Sequence, residues 1–265
     1  MTERVSGLVS AHRGGVGRDR AQENKRATLE RAAGLGCELV EFDVQVTSDG
    51  QFVLLHDSRL TVSGRTVPVS SVRYETLVET LGDVVTLGEA AAILSGKAAA
   101  HVDLKLVSAP ESYEQPESTL EVKAVQQVLE HLGPDGCIVT SQEDRSVRAV
   151  RDWAAVHAPG LLVGLSLGRG LVGVGPLRIF RPSEVFPQRR LESSSANLVV
   201  ADKGLARMRV AAVARRLGLP LLVWTVDSKR GLRYWLSDER AWLVTTNVPG
   251  RALALRARLE TERSG

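Results

Sequence analysis

Cysteine is nearly missing from this chain. Cys37 and Cys137 have no metal-ligand spacing and are too few for a disulfide framework, which excludes a disulfide-stapled scaffold and a zinc module. No stretch approaches the ~20 consecutive apolar residues that cross a bilayer. Residues 1–8 hold Glu3 and Arg4 and no long apolar run, so the expectation is no secretory signal and a cytoplasmic location. Aromatic residues are scarce at 4%, and neither charge sign dominates, with 34 Lys and Arg against 31 Asp and Glu. What is plentiful is aliphatic. With 43% of its 265 residues apolar, the chain is too rich in core formers for disorder and long enough to bury a core unaided.

The small net charge of +3 hides an asymmetry: residues 203–265 carry +8 and the remainder −5. The arginines of that basic end are scattered along helical patterns, with no like-charge run and little aromatic interleaving. They read as solvated helix faces, and no nucleic-acid partner is expected.

Short β-rich runs alternate with helical patterns throughout. The strand candidates are Leu8–His12, Leu39–Val46, Phe52–His56, Ala99–Leu106, Cys137–Ser141, Leu161–Leu167, Asn197–Ala201, Leu221–Val226 and Trp242–Thr246. Helical stretches lie near 24–35, 86–95, 118–132, 144–157, 206–217, 229–237 and 249–262. Ser48-Asp49-Gly50 is a turn signal, so the second and third runs form one bent strand or a hairpin. Counted together they leave eight βα units, the arithmetic of a (β/α)8 TIM barrel; a doubly wound sheet is the competitor. No linker or repeat divides residues 1–265, so a single domain is expected. A small insertion at 57–85 follows the second strand, and an irregular loop with one short helix is expected at 168–195.

Barrel strands, covered outside and packed inside, normally read as continuous apolar runs. Two strands break that rule with period two. Glu41 and Asp43 alternate with Val40, Phe42 and Val44, and His101, Asp103 and Lys105 alternate with Val102, Leu104 and Leu106. Alternate side chains share a face, so three carboxylates and a lysine point inward. Such charges need partners: an internal salt-bridge network, or a divalent cation held by oxygen ligands. His12 and His56 stand at strand ends, where barrel chemistry sits, and an imidazole exchanges protons near neutral pH. Arg13 adds a planar donor fork suited to phosphate. His101 lies near its strand's start and reads as structural; His131 and His157 fall on helices and read as surface residues. Together the groups suit phosphoryl transfer.

These residues carry a resemblance to the glycerophosphodiester phosphodiesterase family over nearly the whole chain. Ala11-His12-Arg13-Gly14 with Gln22-Glu23-Asn24 resembles that family's opening, and Glu41-Phe42-Asp43-Val44, Thr47-Ser48-Asp49-Gly50 and His56-Asp57 follow in its order. Thr86-Leu87-Gly88-Glu89, Val102-Asp103-Leu104-Lys105, Trp224-Thr225-Val226-Asp227 and Thr246-Asn247-Val248-Pro249 are similar to its later elements. The resemblance implies a barrel hydrolase releasing sn-glycerol 3-phosphate and an alcohol. It implies His12 and His56 as the acid/base pair, and Glu41, Asp43 and Asp103 as ligands of one Mg²⁺ or Ca²⁺. Arg13 and Lys105 would hold the phosphate of a small-molecule phosphodiester, and Trp224 would wall the pocket. Three positions depart from the pattern. Gln22 replaces proline, Asp103 replaces a glutamate and reaches one methylene less, and Asn247 replaces an aspartate and loses a charge.

Rival readings keep the scaffold: a phospholipase D-like or phosphoinositide-type enzyme, one acting on lysophospholipids through a pocket left open by the short insertion, or a non-catalytic phosphate-ligand binder. Gly168-Arg169-Gly170-Leu171-Val172-Gly173 matches the dinucleotide fingerprint literally. The Gly175-Pro176 that follows opens no helix, and Glu192 lies in a Ser-rich stretch, so no NAD site is expected.

Overall fold

The computed structural model describes residues 7–168, 171–172 and 179–264. Eight parallel strands close on themselves: β1 (Leu8–Ala11), β2 (Leu39–Val46), β3 (Ala99–Leu104), β4 (Cys137–Ser141), β5 (Leu162–Leu167), β6 (Leu198–Asp202), β7 (Leu221–Trp224) and β8 (Leu243–Thr246). Each pairs with its neighbour in chain order, and β8 and β2 both flank β1, which completes the ring. Helices link successive strands on the outside, as in a (β/α)8 barrel. Phe52–Leu54 settles the choice between bent strand and hairpin: it turns back antiparallel on β2, with Val44 opposite Leu54.

The pleat sorts two cores. Outward residues such as Val9, Val40, Phe42, Val102 and Val223 are buried under the helices. Inward residues Leu39, Ile138, Leu198, Val200, Leu222 and Leu243 form a separate aliphatic plug, with Leu8, Ala99, Leu162 and Trp224 against it. Gly164 in β5 keeps this plug possible, because a Cβ there would meet Val200 Cγ2 at 2.5 Å. The plug fills the end where strands enter, and polar side chains occupy the end where they leave.

Residues 57–85 form a hairpin, Arg59–Val62 with Arg65–Pro68, and a helix, Tyr74–Leu81. Val53, Val69, Val72, Leu77 and Val84 give this unit its own small core. The helix Leu87–Leu94 begins with a reciprocal capping box between Thr86 and Glu89. Residues 168–195 depart from the expected loop with one helix. Among the described residues they contain two helices, Pro182–Val185 and Gln188–Ser194, and a short ribbon pairing Leu171–Val172 with Ile179–Phe180. Leu191 is buried, and Arg190 pairs with Asp144 of the neighbouring helix, so packing rather than local pattern holds that segment helical. The fingerprint match at 168–173 and the N-terminal stretch read for a secretory signal lie largely outside the described residues. No helix among the described residues is long and apolar enough to cross a membrane.

Candidate active site

The first βα turn sets the site. After β1 the chain bends sharply: Arg13, Gly14 and Gly15 all take left-handed conformations, with φ of 49°, 82° and 70°. Two of these positions need glycine for lack of space as well. A Cβ on Gly14 would meet Thr28 Oγ1 at 2.8 Å, and one on Gly15 would meet Pro249 Cγ at 2.4 Å. The turn is thereby wedged between the first and last helices. It aims the Arg13 backbone N–H at Glu41 Oε2, 2.8 Å away, and leaves His12 Nε2 3.9 Å from the same oxygen.

Parallel register does the rest. Asp43 lies level with Asp103, and Asp103 with Thr140, so the inward side chains of β2, β3 and β4 meet in one layer. Carboxylate oxygens of Glu41, Asp43 and Asp103 all lie within 4.8 Å of one another. The shorter side chain at 103 therefore still joins the cluster. Lys105 Nζ bridges Asp103 and Asp43, 3.2 Å from Asp43 Oδ1. Arg13 spans Glu23, at 2.6 Å from Nη1, and Asp43, at 2.9 Å from Nε.

Charge state follows from this packing. Burial first, then the charges of Asp43 and Asp103, push the Glu41 carboxyl well above the usual carboxylate range. Burial works against Asp43 too, but Lys105 and Arg13 outweigh it and hold Asp43 ionised. Lys105 is likewise opposed by burial and held above its usual range by Asp103 and Asp43. Burial, reinforced by Arg13, lowers His12. Its ring is thus neutral at pH 7, a proton acceptor.

His56 stands at the rim beyond Leu54, with 43% of its side chain exposed and Nδ1 2.7 Å from Asp57 Oδ1. Trp224 ends β7 half-buried, its indole Nε1 buried without a partner. His101, expected to be structural, is buried beneath the cluster and kept neutral by burial, its pKa lowered to about 4. Ser10 Oγ lies 3.3 Å from His101 Nδ1, His101 Nε2 3.1 Å from Thr140 Oγ1, and Thr140 donates to Asp103 Oδ1 at 2.7 Å. His131 and His157 are exposed on helices.

Some contributors escaped the sequence reading. Thr140 looks like any strand threonine. Asn24, with φ of 60°, donates to Asp43 Oδ2 at 3.1 Å and accepts from the Asp43 backbone N–H. Its place in the Gln22-Glu23-Asn24 motif was the signal, but the sequence assigned it no role. Asp227 braces Asn247 through two hydrogen bonds.

Three carboxylates converge against the charges of Arg13 and Lys105. Asp43 Oδ1, though beside Lys105, makes no well-directed hydrogen bond. An all-oxygen set with a spare buried acceptor fits a hard divalent cation rather than zinc.

The model of the Glycerophosphoryl diester phosphodiesterase family matches residues 12–251. A glycerophosphodiester phosphodiesterase of Caldanaerobacter subterraneus subsp. tengcongensis is 27% identical over 238 residues, 85% of this chain and 88% of that protein. A human lysophospholipase D is 33% identical over 88 residues, 33% of this chain; the match spans only 27% of that protein's length. Two solved structures share the fold. A glycerophosphodiester phosphodiesterase from Parabacteroides distasonis ATCC 8503 has a TM-score of 0.72 at 20% identity, over 97% of this chain and 99% of that one. A phosphodiesterase from Oleispira antarctica, in complex with the product sn-glycerol-3-phosphate, has a TM-score of 0.69 at 20% identity, over 94% and 96% of the two chains.

Proposed function

The chain belongs to the glycerophosphoryl diester phosphodiesterase family, a family of hydrolases, and from that premise we propose that it cleaves a glycerophosphodiester to sn-glycerol 3-phosphate and an alcohol. The observation that carries the reading is the meeting of Glu41, Asp43 and Asp103 at the barrel mouth with His12 Nε2 3.9 Å from Glu41. Glu41, Asp43 and Asp103 would hold one Mg²⁺ or Ca²⁺, which when bound neutralises charge on the phosphoryl oxygens. Arg13 and Lys105, already leaning on these carboxylates, take the remaining phosphate charge. His12, neutral, accepts the proton of the attacking hydroxyl; attack by water gives sn-glycerol 3-phosphate directly, and attack by the substrate's own glycerol hydroxyl gives a cyclic phosphate that water then opens. His56, at the rim, returns a proton to the leaving alkoxide as the P–O bond to the alcohol breaks. Trp224 lies against the organic part of the substrate.

A lysophospholipid is the second reading, favoured by the local match to the human lysophospholipase D and by the modest insertion at 57–85. One experiment separates them: a panel of glycerophosphodiesters and lysophospholipids with Mg²⁺ or Ca²⁺, scored by glycerol 3-phosphate release from the former and by acylated glycerol phosphate release from the latter. Turnover should vanish with chelator, with His12→Ala and with His56→Ala while thermal melts stay cooperative. Full activity in either variant, or none in the wild type with either ion, removes the assignment.

A further inference from the structure

Asn247 lacks the charge that the resemblance leads one to expect there, and the structure sets a carboxylate, Asp227, against its backbone and side chain. The backbone of Asn247 is pinned at both ends: its N–H donates to Asp227 Oδ1 at 2.8 Å, and its carbonyl accepts from the Gly17 N–H at 2.8 Å. Its side-chain Nδ2 donates to Asp227 Oδ2 at 2.9 Å. A carboxylate can only accept, so this contact fixes which way the amide faces. The opposite arrangement would set two acceptor oxygens against each other. The amide oxygen is left facing His12 Nδ1 at 2.8 Å. An amide oxygen also only accepts, so His12 Nδ1 must carry the hydrogen and the neutral ring keeps its lone pair on Nε2. That nitrogen is the one beside Glu41 and the mouth.

We infer that Asp227 is a positioning residue which, through the Asn247 amide, locks His12 in its Nδ1–H tautomer and presents Nε2 as the proton acceptor. Asp227 never touches His12 in this arrangement; it acts by orienting and polarising the amide between them. Thr246 Oγ1, 3.2 Å from Asp227 Oδ1, steadies the carboxylate from the adjoining strand. Acidic and amide roles have thus been divided between residues 227 and 247, and an exchange of the two side chains should preserve the device. The catalytic meaning of this lock rests on the function proposed above; the tautomer itself does not.

The test uses the full chain with its His ring nitrogens labelled with ¹⁵N, at a fixed pH where the ring is neutral. Wild type should show the Nδ1–H tautomer at His12. Asn247→Asp alone faces two carboxylates across 2.9 Å and should lose kcat by about tenfold to a hundredfold with little change in KM. Asp227→Asn should mix the tautomers and lower kcat in the same way. The double variant Asp227→Asn/Asn247→Asp should restore both the Nδ1–H signature and kcat. A merely structural pair would move melting temperature without moving the tautomer. An Nε2–H signal in wild type, or a folded double variant that restores neither quantity, overturns the inference. A wild type that turns over no glycerophosphodiester yet shows the Nδ1–H tautomer would instead strike the functional reading and leave the lock standing.

Discussion

Replacing Thr140 by valine is a nearly isosteric change that deletes a single buried hydroxyl. That hydroxyl sits between His101 Nε2 at 3.1 Å and Asp103 Oδ1 at 2.7 Å. The variant leaves a buried imidazole N–H with no acceptor and takes a hydrogen bond from a charged carboxylate. An unsatisfied buried donor costs about 1–3 kcal/mol, and a hydrogen bond to a charged group contributes roughly 1.5–3 kcal/mol. The Asp103 side chain is 14% exposed, so water replaces part of its loss, and about 2–4 kcal/mol in total is the expectation. For a chain of this size each kcal/mol moves the midpoint by about 2 °C, so Tm should fall by about 4–8 °C. Asp103 also loses one of the two side-chain contacts that orient it, the other being Lys105, and removal of such an outer partner typically lowers cation affinity by about 10–100-fold. Calorimetric titration with Mg²⁺ and Ca²⁺, beside thermal melts, reads both effects. Thr140→Ser keeps the hydroxyl and should recover the affinity while losing only the packing of one methyl group. Unchanged cation affinity and an unmoved Tm in the valine variant would refute the chain from His101 through Thr140 to Asp103.

Three further outcomes follow from the same geometry. Glu41 holds its proton above the usual carboxylate range in the chain alone, so cation binding should release a proton and strengthen as pH rises; titrations in buffers of different ionisation enthalpy check this, and no buffer dependence contradicts it. His101 stays neutral to about pH 4 in the fold, whereas an unfolded imidazole protonates near ~6.5. Between those values the unfolded state binds the extra proton, so His101 lowers stability as pH falls, by at most about 1.4 kcal/mol per unit, with no effect above ~6.5. Urea unfolding from pH 7 to pH 5, compared with His101→Asn, should show that slope only where the imidazole is present. Gly15→Ala forces a Cβ to 2.4 Å from Pro249 Cγ at a φ of +70°, so it should cost about 2–4 kcal/mol and disturb turnover together with Tm; a neutral melt would show that the first turn is not wedged as described.

The local pattern of the chain was enough to determine a run of eight βα units and the inward face of its charges, whereas closure into a barrel rather than a doubly wound sheet was decided by the pairing of β1 with both β2 and β8. Alternation of side chains along a strand is a property of the backbone itself, so Glu41 and Asp43 on one strand, and His101, Asp103 and Lys105 along the next run, were bound to share a side. Spacing of turn residues and helical runs likewise limited the fold, because each unit is read within about thirty residues. Other features depended on residues far apart in sequence. Thr140 under Asp103, Asn24 clamping Asp43, and Asp227 reaching His12 through Asn247 are set by ring closure and inter-strand register, to which no single segment holds the key. Phe52–Leu54 could extend or fold back after an Asp-Gly turn until pairing with β2 decided it. The Gln188–Ser194 helix is held by Leu191, buried in the main core, and by Arg190, paired with Asp144 of a neighbouring helix. Side-chain direction comes from local dihedral alternation, and which side chains then touch comes from the packing of the whole ring.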